Sequence, residues 1–146
     1  MPVTVFLLSV AVLLVDQISK SLIQKALHGV STLPVIPGVF HLTLLTNTGV
    51  AFGMFRGYSL PVAIGTSAII VGLLWSTVRR ARPTVGYLTI GMGFILGGAV
   101  GNLIDRIRVG GVIDFLDFRI WPVFNVADSC ITIGAVLMSW ELLRHR

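Results

Sequence analysis

Cysteine and charge are both scarce in this chain. Its single cysteine, Cys130, excludes an intrachain disulfide framework and a zinc site built from cysteines. Charged residues are 12% of the 146, about half the share in soluble domains. A soluble domain this small needs polar side chains to cover its large relative surface, which excludes an ordinary cytosolic enzyme. A disordered chain is excluded by the opposite test, since 55% of the residues are apolar. His28, His41 and His145 are far apart in sequence and no HExxH occurs, so zinc proteolysis is not expected and no metal or cofactor is assigned. The net charge is +5, but no Lys/Arg cluster is interleaved with aromatics, so no nucleic-acid partner is expected. In an apolar chain, basic residues set membrane orientation or meet anionic lipid.

Apolar residues are what the chain has in abundance. A spanning helix takes about 20 of them, and the chain holds enough for four. Residues 1–146 are read as one integral membrane domain with spans at about 3–23, 60–78, 83–104 and 123–143. The first run has no basic residue ahead of it and no small-x-small site behind it, so it is expected to be a span and not a cleaved signal. Four spans put both termini on one side. The bare count of basic residues on the two sides does not settle which, but Arg79, Arg80 and Arg82 crowd the turn between spans two and three and assign that side to the cytoplasm. Segments 24–59 and 107–122 are then extracytoplasmic. In the first, Phe40, Leu42 and Leu44 alternate with His41 and Thr43 at strand period. Residues 49–55 are apolar, too short to span, and suit the bilayer interface. The second is strand-like around Val112–Phe115. Gly93, Gly97 and Gly101 recur every four residues, a spacing that lets membrane helices approach closely.

Five of the six acids, Asp16, Asp105, Asp114, Asp117 and Asp128, fall at the outer ends of spans or in the connection between spans three and four. Acids within spans are costly and usually mark a site. Asp16 and Lys20 are spaced i,i+4 as a helical ion pair. Asn102, Asp105 and Arg106 share one helix face, and Asn125 and Asp128 open span four at i,i+3. Three polar faces at one level point to a shared hydrophilic pocket. Two carboxylates in such a pocket resist double ionisation and share a proton; one can then activate water while the other protonates the substrate. A carboxylate-pair hydrolase and a proton-linked transporter both fit these residues.

Five motifs in order narrow the choice: Asp16-Gln17-Ile18-Ser19-Lys20, Asn47-Thr48-Gly49-Val50-Ala51-Phe52, Gly97-Gly98-Ala99-Val100-Gly101-Asn102-Leu103-Ile104-Asp105-Arg106, Val112-Ile113-Asp114-Phe115 and Phe124-Asn125-Val126-Ala127-Asp128. Together they closely resemble the bacterial lipoprotein signal peptidases, signal peptidase II, from about residue 16 to 132. The resemblance implies an all-α membrane fold of four transmembrane helices with a small extracytoplasmic β-sheet and a short interfacial helix. It implies an aspartic endopeptidase of the inner membrane, with cytoplasmic termini and the site near the periplasmic face. Such enzymes cut prolipoprotein signal peptides before the diacylglyceryl-modified cysteine of the lipobox. The catalytic aspartates of the family fall on Asp114 and Asp128. Its other polar site residues fall on Asp16, Lys20, Asn47, Asn102, Asp105, Arg106 and Asn125. The partners so implied are diacylglyceryl-prolipoprotein signal peptides, membrane lipids and globomycin-type inhibitors, and the chain is expected to be monomeric without a metal.

Overall fold

A computed structural model of the protein describes residues 2–49, 59–79 and 86–144. Within them the order is α1 (Pro2–Ala26), β1 (Thr32–Ile36), β2 (Phe40–Asn47), α2 (Ser59–Arg79), α3 (Tyr87–Val109), β3 (Val112–Asp117) and α4 (Val126–Arg144). Helices α1, α3 and α4 are each long and apolar enough to cross a membrane, and Pro61–Ser76 of α2 forms a shorter apolar stretch. The interfacial segment from residue 50 onward, and Arg80 and Arg82 of the arginine turn, lie outside the described residues.

Burial is reversed relative to a soluble protein. Phe6, Leu14, Ile18, Val71, Trp75, Val136 and Trp140 are exposed on the helix exteriors, while Asp16, Lys20, Asp105, Asp114 and Asn125 are at most 2% exposed. An outward apolar face costs nothing in lipid, whereas polar groups there must find partners inside the protein. Helix α3 is the hub: 56% of its apolar window is buried, against 22% for α1 and 11% for α4. Val5, Met92 and Leu96 form a buried apolar cluster, packed against Ile70 and Leu73 of α2 and Met138 of α4.

The glycine spacing explains how tightly the hub is held. A Cβ on Gly97 would lie 2.5 Å from the Ser9 carbonyl oxygen, and one on Gly101 would lie 2.5 Å from Asp16 Oδ2. Only glycine permits α1 to come this close, and the Ser9 hydroxyl donates across the seam to the Gly93 carbonyl at 3.1 Å. A second glycine face, through Gly91 and Gly98, meets Gly134 and Ala127 of α4 in the same way.

The three strands form one antiparallel sheet in the order β1-β2-β3. Pro34 lies within β1, where an edge strand tolerates a residue without an N–H. An irregularity between Leu42 and Leu45 shifts the β2–β3 register. Beyond it, Asn47 pairs with Val112, which puts the Asn47 and Asp114 side chains on one face. The sheet sits at the end of the bundle where α1 and α3 finish and α4 starts. Helix α4 begins at Val126, later than the apolar run at 123, because Phe124 is still bridged to Leu116 of β3 and Asn125 caps the helix.

Candidate active site

Four buried or half-buried carboxylates converge at this end of the bundle. Asp16 comes from α1, Asp105 from the last turns of α3, Asp114 from β3 and Asp128 from the first turn of α4. The local structure explains each placement. Asn125 is the N-cap of α4, its Oδ1 accepting the Asp128 backbone N–H at 2.8 Å, as a cap does for the third helical residue. That fixes Asp128 in the first turn, where the helix dipole favours a negative group. Gly110, in the left-handed region at φ 76°, ends α3 with its N–H on the Arg106 carbonyl and turns the chain into β3.

Asp114 and Asp128 are joined through two asparagines. Asn125 Nδ2 donates to Asp114 Oδ1 at 2.7 Å while its Oδ1 holds the Asp128 amide. Asn102 Nδ2 donates to Asp128 Oδ1 at 2.8 Å, and Asn47 Nδ2 to Asp114 Oδ2 at 3.2 Å. Burial, then the charge of nearby Asp128, pushes the Asp114 carboxyl up to about 7 against the opposing hydrogen bonds from Asn47 and Asn125. Asp114 therefore exchanges its proton near neutrality.

Behind this pair lies an ionic cluster. Lys20 Nζ donates to Asp16 Oδ2 at 2.8 Å, Asp105 Oδ2 at 2.7 Å and Asn102 Oδ1 at 3.1 Å. The i,i+4 pair read from the sequence is thus one of two ion pairs in a three-membered cluster. Asn102, Asp105 and Arg106 share a helix but diverge at their tips. Asp105 turns to Lys20, while Arg106 donates to the Gly49 carbonyl at 3.3 Å. Asn47 Oδ1 takes the Gly49 N–H at 3.0 Å, so two polar side chains hold the backbone at the end of the first sheet segment.

All nine polar residues that the resemblance assigns to the site meet in this region. Asp117 does not join the pair. It accepts from Thr43 Oγ1 at 2.8 Å and from the Arg119 N–H and guanidinium at 2.9 and 3.0 Å. Burial would raise its pKa, but these hydrogen bonds outweigh it and hold Asp117 below the ordinary carboxylate value. One participant went unassigned in the sequence: Gln17 Nε2 donates to Asp16 and Asp105 and to the Gly101 carbonyl. A neutral polar residue beside an acid in an apolar run was the signal for it.

Asp114, Asp128, Asn102 and Arg106 face a cavity of about 1220 Å³ whose outer wall is apolar, including Phe118, Trp121 and Val123. A smaller cavity of about 240 Å³ reaches Asn102, Arg106 and Asp128 between α2, α3 and α4. Phe40, Phe118 and Phe124 pack ring to ring, with centroids 4.9 and 5.9 Å apart, and hold the wall of the larger cavity against the sheet. Among the described residues, no three His, Cys, Asp or Glu side chains cluster as a metal site requires.

Apolar helices enclosing a polar, carboxylate-bearing end define a multi-pass membrane protein with an enzyme-like cleft. Comparison with known proteins gives the family. The profile described as "Signal peptidase (SPase) II" matches residues 8–144. The chain belongs to the signal peptidase II family and is a peptidase of the lipoprotein signal peptidase group, whose role is to cleave the signal peptides of prolipoproteins. It is 44% identical over 140 residues to the lipoprotein signal peptidase of Pelotomaculum thermopropionicum, covering 94% of this chain and 90% of that one. It is 42% identical over 137 residues to that of Moorella thermoacetica, covering 94% and 91%. A bacterial membrane enzyme solved by the in meso method at 2.3 Å superposes with a TM-score of 0.86 at 32% identity, covering 97% of this chain and 88% of that one.

Proposed function

We propose that the protein is an aspartic endopeptidase that removes signal peptides from prolipoproteins by cutting before the diacylglyceryl-modified lipobox cysteine. The observation that carries this reading is the pair Asp114 and Asp128, on separate elements, linked through Asn125 and facing one large cavity. Asp128 draws a proton from a water molecule, whose oxygen attacks the carbonyl carbon of the residue before the cysteine. Asp114, protonated near neutrality, gives its proton to the carbonyl oxygen. As the tetrahedral intermediate collapses, the C–N bond breaks, Asp128 returns its proton to the leaving amine, and Asp114 regains the proton from the hydroxyl as the C=O reforms.

The other site residues support this chemistry. The substrate is an apolar helix carrying two acyl chains, and its backbone must unwind at the cut, which exposes amides in a dry site. Asn47, Asn102, Asn125 and Arg106 offer hydrogen bonds there. Arg106 and Asn47 order the pocket without exchanging protons. In this reading both termini are cytoplasmic, the sheet and the pair lie at the periplasmic face of the inner membrane, the chain acts as a monomer, and globomycin-type inhibitors occupy the substrate's cleft.

A gel-shift assay on the purified protein tests the reading. A diacylglyceryl prolipoprotein should be shortened, the same chain without the lipid should not, and globomycin should block the reaction. Failure to cut the lipidated chain, with solute movement in proteoliposomes, would replace the peptidase by a proton-linked transporter. A reporter fused after Arg146 should behave as cytoplasmic.

A further inference from the structure

Asp16, Lys20 and Asp105 do not line the large cavity, yet they are among the most buried groups in the molecule. An ion cluster sealed in the interior is a poor source of stability, because desolvation consumes most of the Coulombic gain. The hydrogen bonds that leave the cluster point to a different task. Asp16 binds Lys20 through Oδ2 at 2.8 Å, and its Oδ1 accepts the Ala127 backbone N–H at 3.0 Å. Asp105 binds Lys20 through Oδ2 at 2.7 Å, and the same oxygen accepts the Ile113 backbone N–H at 3.2 Å.

Ala127 and Ile113 are the residues immediately before Asp128 and Asp114. A single ammonium on α1 therefore ties together the two backbone points from which the pair of carboxylates springs, one on α4 and one on β3. The third donor of Lys20 reaches Asn102 Oδ1 at 3.1 Å, and Asn102 in turn holds Asp128 Oδ1. Elements far apart in sequence are thus referred to one point.

We propose that Lys20, acting through Asp16 and Asp105, is a brace that sets the separation of Asp114 and Asp128. All three are positioning residues and touch no substrate. The inference rests on the proposed peptidase mechanism. Its physical content is that a displacement of about 1 Å in a reacting constellation costs on the order of 10²-fold in rate. The same displacement weakens the repulsion between the two carboxylates and brings their two apparent pKa values together. The active form carries one proton on the pair, so the bell of activity against pH becomes narrower.

The test is the pH profile of kcat and KM for cleavage of a diacylglyceryl prolipoprotein by the full-length protein, with Asp16→Ala and Asp105→Ala beside the wild type. Each variant should lose about 100-fold in kcat with KM nearly unchanged, and each should narrow the bell. The Asp16 charge bears directly on Asp128, whereas that of Asp105 bears on neither carboxyl, so the Asp105 variants read the width free of a direct charge effect. Arg106 and Lys20 also face the pair, and both are unaltered in sequence in every variant. Asp16→Asn keeps an oxygen for the Ala127 N–H but loses the bond to Lys20, while Asp105→Asn keeps the oxygen that serves both partners and loses the ionic pairing. They should fall between the wild type and the alanine variants, and they carry the test if the alanine variants do not fold. Wild-type kcat and bell width in the folded asparagine variants would overturn the brace, whatever happens to Tm. Asp114→Asn, measured alongside, separates the two claims. If it is inactive while the Asp16 and Asp105 variants match the wild type, the brace alone falls; if it cleaves normally, the peptidase mechanism falls with it.

Discussion

Replacing Asp114 by asparagine should alter the pH dependence of stability in a calculable way. Folding raises this carboxyl from the ordinary 3.8 to about 7. The folded protein therefore binds that proton about three powers of ten more tightly than the unfolded chain, which is about 4 kcal/mol. A raised carboxyl contributes its full stability below the unfolded value, near pH 4, and loses it as pH rises through about 7. The asparagine variant cannot ionise and lacks this loss. It has its own defect, because Asn47 Nδ2 and Asn125 Nδ2 both donate to Asp114. An amide offers one acceptor oxygen to those two donors, a cost of about 1–3 kcal/mol. The two stability curves should cross: the variant melts below the wild type at pH 4 and above it at pH 8. At about 2–4 °C per kcal/mol for a chain of this size, the Tm difference should change by roughly 10 °C across the range. Thermal unfolding in detergent, followed by intrinsic tryptophan fluorescence, measures it. A Tm difference that stays constant from pH 4 to pH 8 would refute the assignment of a buried, proton-holding carboxyl to Asp114.

Three further outcomes follow from the packing and the network. Lys20→Met strands Asp16 and Asp105 without their common cation and should cost about 3–5 kcal/mol, seen as a fall in Tm at neutral pH. Gly97→Ala drives a Cβ into the Ser9 carbonyl and the Val12 side chain, so α1 and α3 must part at a cost of about 1–3 kcal/mol. Gly72→Ala, which meets nothing within 4 Å, should leave Tm near the wild-type value in the same melt. Asp117→Asn loses its bond to Arg119 but leaves the cavity untouched, so a prolipoprotein gel-shift should show most of the cleavage retained. Loss of activity there, with Asp114→Asn active, would move the chemistry to Asp117.

Much of this architecture was legible because each signal was local. Long apolar runs mark the helices, the four-residue glycine repeat marks the α1–α3 seam, and alternation at Phe40–Leu44 marks β2. Most polar residues of the site could be picked out singly in an apolar chain, but Asn47 and the choice of Asp114 over Asp117 came only with the family resemblance. What spacing could not give was direction. Asp105 and Arg106 are neighbours on α3, yet one turns to Lys20 and the other to Gly49, a choice made by which helix or loop lies alongside. Strand β1 went unassigned in the sequence, since it contains Pro34, which only an edge position accepts. The links from Asp16 to Ala127 and from Asp105 to Ile113 are side chain to backbone contacts, which leave no mark in residue types. Gln17 stayed unassigned for a similar reason, because its partners come from two helices.

The central claim, that Asp114 and Asp128 form one catalytic unit, is tested most directly by single-turnover cleavage of a diacylglyceryl prolipoprotein by Asp114→Asn, Asp128→Asn and the double variant. Residues that act together give strongly non-additive losses. Each single variant should lose about 10³-fold or more, and the double variant should be little worse than either. All three should still insert in the membrane and bind globomycin. Wild-type cleavage by Asp128→Asn, or losses that simply multiply in the double variant, would contradict a shared-proton pair.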